Sequence, residues 1–168
     1  DGFSLSTYND FMQAFAQLQQ RGMKGLVLDL RDNPGGILES ALRMVNEMLP
    51  KDKPVIYIEG AHYPREQYRS SGDGSLIGFP LYILINESSA SAAEIVSGAM
   101  QDNDAAIVIG RRSFGKGLVQ KVFEYPDGSS VHLTIARYYT PSGRCIQREY
   151  HTGDSDEYYS DWAKRFSS

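Results

Sequence analysis

The sequence predicts an α/β fold, a mostly parallel sheet flanked by helices with a β-hairpin added, and three observations lead there. Short apolar runs such as Leu26-Val27-Leu28 and Leu81-Tyr82-Ile83-Leu84-Ile85 read as buried strands. Stretches of helical periodicity follow them through brief turns, an order that implies parallel neighbours with helices packed on the sheet. Residues alternating on both sides of Pro126-Asp127-Gly128 read as a hairpin.

In chain order, Thr7 to Arg21 carries Tyr8, Phe11, Met12, Phe15 and Leu18 at helical spacing, and Gly22 stops it. Gly25 to Leu30 is the first strand, and Arg31-Asp32-Asn33-Pro34-Gly35-Gly36 is a turn. Ile37 to Leu49 is a helix closed by Pro50, and Pro54 to Glu59 a second strand. The polar, Gly- and Ser-containing stretch from Gly60 to Gly78 reads as a long surface loop. Leu81 to Ile85 is the third strand, Ser91 to Gln101 the next helix, and Ala105 to Ile109 a fourth strand ending in Gly110. The hairpin runs from Leu118 to Tyr125 and from Ser130 to Tyr139. Residues 3–148 read as one core domain and 149–168 as a polar tail, either a short helix over Asp156 to Phe166 or disordered. The opening Asp1-Gly2-Phe3-Ser4 reads as the middle of a longer chain.

Composition narrows the function. The length of 168 residues suffices for one real core, and 41% hydrophobic with 23% charged residues is ordinary for a globular domain. A net charge of −4 gives no basic face for nucleic acid. No apolar run reaches the roughly 20 residues of a membrane span. The single Cys145 excludes an internal disulfide and a cysteine-based zinc cluster.

Ligands of parallel sheets sit at the carboxyl ends of the strands. Three turns fall there, and each carries a candidate. In Asn86 to Ile95, Ser91 stands between a strand and a helix, where free N–H groups can hold an anion. That suits a nucleophile. Ser91-x-x-Glu94 is equally a capping box that merely starts a helix. The segment Gly110 to Lys116 fits the G-x-x-x-x-G-K of a phosphate loop, but Gly117 replaces the Ser or Thr that binds Mg²⁺, and β-forming residues follow instead of a helix. A lysine there could instead act as a general base. A lysine ordinarily titrates near about 10.4 and works near neutrality only when desolvated. The glycines around Lys116 let the backbone enter a closed site, Phe114 offers apolar cover, and Gln120, four residues on, lies on the same strand face to orient the amine. A plain surface lysine is the alternative. Serine with lysine is a recognised pair for acyl transfer. His62, His132 and His151 offer no equivalent base, and the G-x-S-x-G elbow is absent. An oxyanion hole could use the N–H of Ala92 and that of Gly35 or Gly36, unless Asn33 to Gly36 is only a strand-to-helix turn.

Three segments, GLVLDLRDNPGG (25–36), SASAAEIVSGAM (89–100) and SFGKGLVQ (113–120), resemble the carboxyl-terminal processing peptidases, or tail-specific proteases. The turn Tyr139-Thr140-Pro141-Ser142-Gly143-Arg144 is similar to that family too, so the likeness runs from about Phe3 to Ile146. The resemblance implies a crotonase-like α/β core and a serine endopeptidase with a Ser–Lys dyad assisted by Gln. Ser91 would be the nucleophile, Lys116 the base and Gln120 its orienting partner, with Ala92 and the Gly35-Gly36 turn as oxyanion donors. It implies no metal and no nucleotide, a protein or peptide substrate with a free C-terminus, and a bacterial envelope location such as the periplasm, or a plastid lumen. A PDZ domain and a β-strand before the first helix are usual in the family and do not occur here, and Ala93 stands where many members have serine. A catalytically silent crotonase-like domain that binds a peptide or hydrophobic ligand is the competing class.

Overall fold

The computed structural model describes residues 2–150 together with Ser160 and Lys164, and the tail helix or disorder expected over 156–166 lies outside the described residues apart from those two positions. Two sheets and three helices form the fold. Strands β1 (Leu26–Asp29), β4 (Leu81–Ile85) and β5 (Ile107–Gly110) make a three-stranded parallel sheet in the order β1-β4-β5. A four-stranded antiparallel sheet, β3-β2-β7-β6, combines β2 (Pro54–Gly60), β3 (Tyr63–Arg69), β6 (Leu118–Glu124) and β7 (Ser130–Tyr139). Helices α1 (Thr7–Gln20), α2 (Leu38–Met48) and α3 (Ala92–Asp102) supply the remainder.

The expected parallel sheet is therefore present but narrower than its four candidate strands suggested, because β2 pairs antiparallel with β3 and β7. The expected surface loop over Gly60 to Gly78 is corrected as well: β3 occupies its first half. Tyr63-Pro64-Arg65-Glu66-Gln67-Tyr68-Arg69 is polar and mostly exposed, so it carries no apolar alternation, and its Pro64 and charges are the marks of an edge strand. In the hairpin, Val119 pairs with Ala136 while Gln120 pairs with Thr134, so the extra residue, Ile135, bulges on β7 and β6 keeps its alternation.

The helices cover one face of the parallel sheet. Met44, Val45 and Met48 from α2, with Leu49 just after it, join Val96, Ala99 and Met100 from α3 and Ile83 from β4 in one buried cluster. Removing such side chains from water is the main source of stability, about 1.5–3 kcal/mol for each large one. Gly98 lets α3 press on the turn after β7, since a Cβ there would stand 2.9 Å from Thr140 Cγ2. The opposite face of the parallel sheet presents Val27, Tyr82 and Ile107 in one register row, exposed.

Because β1 and β4 run parallel in register Leu26↔Leu81 to Asp29↔Leu84, and β4 and β5 from Tyr82↔Ile107 to Ile85↔Gly110, all three release their next turns at one edge. Those turns are the segments singled out above.

Candidate active site

Backbone bonds knit the three turns together. Ala90 N–H donates to Asn33 O at 2.9 Å, joining the second turn to the first, and Phe114 N–H donates to Ser89 O at 2.9 Å, joining the third to the second. Ser89 is fully buried and locks the base of its turn, with its hydroxyl donating to Leu30 O at 2.7 Å while Asn86 N–H donates to Ser89 Oγ at 3.0 Å.

Ser91 is the N-cap of α3 and has φ 55° and ψ −116°, a conformation that L-residues rarely adopt. Holding a serine in such a region costs of the order of 1–3 kcal/mol and persists only where its surroundings force it. A cap does not need that geometry, since an ordinary N-cap is extended. Ser91 is at the same time the N-cap of a capping box with Glu94, so the strained conformation and the cap coincide at one residue.

Next to it, the Ala92 N–H opens the first turn of α3, where no carbonyl of the helix can meet it. Gly35 lies directly against this point: a Cβ on it would stand 2.6 Å from Ser91 Cβ and 2.9 Å from Ala92 N. Its φ of +93° and the +138° of Gly36 explain why both positions are glycine. Gly35 N–H donates to Asn33 Oδ1 at 2.9 Å, and Asn33 is buried. The structure thus brings Gly35, Ser91 and Ala92 into one place.

The backbone of Lys116 is tied to the same place through Glu94, while the residue itself is exposed and not desolvated as the general-base expectation required. One carboxylate oxygen of Glu94 accepts Ser91 N–H at 2.9 Å and Lys116 N–H at 2.8 Å; the other accepts the Ser113 hydroxyl and Gly115 N–H, both at 2.7 Å. The backbones on either side of the proposed dyad therefore converge on one side chain. Glu94 is 5% exposed, and burial pushes its carboxyl above the usual carboxylate range against the pull of its donors, the Ser113 hydroxyl first among them. The capping box that the sequence predicts is present, with the Glu94 carboxylate accepting Ser91 N–H, and Glu94 does more than cap the helix. Its bonds to the third turn join residues 19 to 22 positions apart, which no local pattern reveals.

Phe114 sits under Arg148, whose guanidinium carbon lies 5.6 Å from the ring centroid. Gln120 is exposed on β6 opposite Thr134. The phosphate-loop reading of Gly110 to Lys116 fails, because the segment leads into β6 and not into a helix. His62 is exposed between β2 and β3, and His132 is exposed on β7 opposite Val122. Among the described residues no group of His, Cys, Asp or Glu could hold a metal ion, and no helix is long and apolar enough to cross a membrane. A cavity of about 780 Å³ shares Glu94, Ser113 and Gly115 with this region, yet neither Ser91 nor Lys116 lines it.

Comparison with known proteins adds the remaining evidence. The family model "Peptidase family S41" matches residues 1–156. The carboxyl-terminal-processing protease of Synechocystis sp. is 37% identical over 146 residues, 87% of this chain and 34% of that protein. The carboxy-terminal processing protease CtpA of Bacillus subtilis is 37% identical over 147 residues, 88% of this chain and 31% of the relative. Among solved structures, the photosystem II D1 C-terminal processing protease superposes with a TM-score of 0.80 at 36% identity, covering 87% of this chain and 38% of that one. The chain spans about a third of the length of these relatives. The likeness to the D1 processing protease supports the α/β, crotonase-like fold expected from the sequence. With a family model covering nearly its whole length and relatives bearing one name, this chain belongs to peptidase family S41.

Proposed function

We propose that the chain is the catalytic core of a serine endopeptidase that cleaves protein substrates at or from their C-terminal region, with Ser91 as nucleophile and Lys116 as general base. The observation that carries this is the strained Ser91 at the start of α3, tied through one Glu94 oxygen to the backbone of Lys116.

In this mechanism Lys116 Nζ takes the proton of Ser91 Oγ as that oxygen attacks the scissile carbonyl carbon. The carbonyl oxygen becomes an oxyanion, and Ala92 N–H is its first donor. The second donor comes from the Gly35-Gly36 turn, whose Gly35 lies against Ser91 and Ala92. Each such donor is worth roughly 3 kcal/mol in the transition state. The intermediate collapses, the C–N bond breaks, and Lys116 returns its proton to the leaving amine. Water then attacks the acyl-Ser91 ester by the same route in reverse. Gln120 orients the Lys116 amine.

The relatives are about three times as long as this chain, which leaves room for a further domain, and their names speak of carboxyl-terminal processing; the rest of the proposal follows the family resemblance. The full-length protein carries a PDZ domain that captures the substrate's free C-terminus, and it acts outside the cytoplasm, in a bacterial envelope such as the periplasm. The test is degradation of an unfolded protein by the full-length enzyme. The same substrate with an amidated C-terminus should be cut more slowly, and Ser91→Ala and Lys116→Ala should each abolish cleavage. Cleavage that survives either substitution refutes the dyad.

A further inference from the structure

We propose that Gln147 is a positioning residue for Lys116, holding the peptide that follows the lysine so that its side chain stays aimed at Ser91. This deepens the Ser91–Lys116 reading and rests on it.

Lys116 lies between two glycines, a sequence that by itself leaves the lysine's direction almost free. Glu94 fixes only the near side, through Gly115 N–H and Lys116 N–H. On the far side the Gly117 carbonyl accepts Tyr138 N–H from β7 at 2.8 Å, and residues 146–148 hold the Gly117 N–H and brace Gly115 as well. Gly117 N–H donates to Gln147 Oε1 at 3.0 Å, and Gly115 O accepts Arg148 N–H at 2.9 Å. Gly117 is buried, and a Cβ on it would stand 2.4 Å from Gln147 N and 2.9 Å from Ile146 Cβ. The strap therefore lies flat against the backbone that carries Lys116. Gln147 Nε2 donates to Arg148 O at 3.0 Å, which fixes the amide so that its oxygen faces Gly117.

The strap is itself anchored to the helix that bears Glu94. Arg144 pairs with Asp102 and donates to Gln101 Oε1 at 2.8 Å, both at the end of α3, and Thr140 N–H donates to Arg144 O at 2.9 Å. Both sides of Lys116 are thus referenced to α3, one through Glu94 and the other through Gln147. A general base must lie within hydrogen-bond reach of its proton, and a misplacement of about 1 Å can cost on the order of 100-fold in rate. Gln147 acts on Lys116 through the Gly117 backbone, so its loss should fall on the chemical step.

The test compares Gln147→Met, which removes the acceptor at nearly equal length, with Gln147→Glu, which keeps an oxygen for Gly117 N–H. Both are made in the full-length enzyme, and rates are expressed per folded molecule from the melting amplitude. For Gln147→Met, kcat should fall by about 10- to 100-fold with KM changed little, and acylation of Ser91 by a fluorophosphonate should slow in parallel. Gln147→Glu should recover at least a third of the lost rate on a logarithmic scale. Wild-type kcat per folded molecule in Gln147→Met overturns the inference, as does an equal loss in both variants. A loss confined to the folded fraction or to KM does the same. Ser91→Ala in the same assay separates the two claims. If it still cleaves, the dyad falls and this inference with it; if it is inactive while Gln147→Met is unimpaired, only the inference falls.

Discussion

Replacing Gly35 by alanine should damage the site in a way that the coordinates specify in advance. The new Cβ would stand 2.6 Å from Ser91 Cβ, 2.7 Å from Ala90 O and 2.9 Å from Ala92 N, two of them backbone atoms that cannot move aside as a flexible side chain could. Two costs add. Placing an alanine at φ +93° costs about 1–2 kcal/mol from backbone sterics alone. Relieving the contacts adds about 1–3 kcal/mol, the usual range for overpacking. For a domain of this size each kcal/mol lowers the melting temperature by about 2–4 °C. Gly22→Ala is the matched control, since Gly22 has φ +79° but nothing within 4 Å of the position of a Cβ. The control carries the backbone cost alone, so the difference between the two melting temperatures isolates the packing against Ser91 and Ala92. Catalysis should fall further than stability, because relief of the clash moves Ala92 N–H, an assigned oxyanion donor. The expected loss in kcat per folded molecule is about 100- to 1,000-fold, the effect of losing one such donor. The assay is thermal unfolding followed by proteolysis of an unfolded protein at a temperature where each variant is folded. A Gly35→Ala enzyme that melts like Gly22→Ala and cleaves within a few-fold of wild type would refute the placement of Gly35 against the start of α3.

Two further substitutions probe the carboxylates at the site. Glu94→Gln keeps one accepting oxygen but turns an NH₂ toward donors, leaving at least one of Gly115, Ser91 and Lys116 N–H unpaired at about 1–3 kcal/mol; kcat should drop at least about 10-fold, and a wild-type kcat would show that Glu94 does not hold the dyad backbones in place. The Arg111 guanidinium donates to both oxygens of Glu87 at 2.7 Å and holds that carboxyl below the usual carboxylate range. A carboxyl lowered by folding contributes stability above its ordinary range and loses it as pH falls through the lowered value. The melting temperature of Arg111→Met should therefore lie below wild type at neutral pH and converge with it in acid, and a gap that is constant with pH would contradict the pairing.

The architecture was largely legible because its signals are local. Apolar runs marked β1, β4 and β5, helical periodicity marked α1 to α3, and Pro126-Asp127-Gly128 marked the hairpin. β3 was not legible, since an exposed edge strand with Pro64 carries no apolar alternation, and β2 gave no sign that its partners would be antiparallel. At the site, Ser91, Ala92, Gly35 and the lysine turn could be placed at one edge from strand order alone. What holds them was hidden. The reach of Glu94 to Ser113, Gly115 and Lys116, the bond from Asn33 to Ala90, and the strap of Gln147 and Arg148 all join residues distant in sequence and depend on how the turns stack. Ser91's positive φ was equally invisible, because a serine gives no hint of it as a glycine would.

The most direct test of the central claim is the rate at which a fluorophosphonate acylates the enzyme across pH, with the modified residue located by peptide mass spectrometry. Activation of Ser91 by Lys116 predicts a single adduct on Ser91, formed faster as pH rises, and formed at least about 100-fold more slowly in Lys116→Ala. An adduct on another residue, or equal labelling of Ser91 in Lys116→Ala, would contradict it.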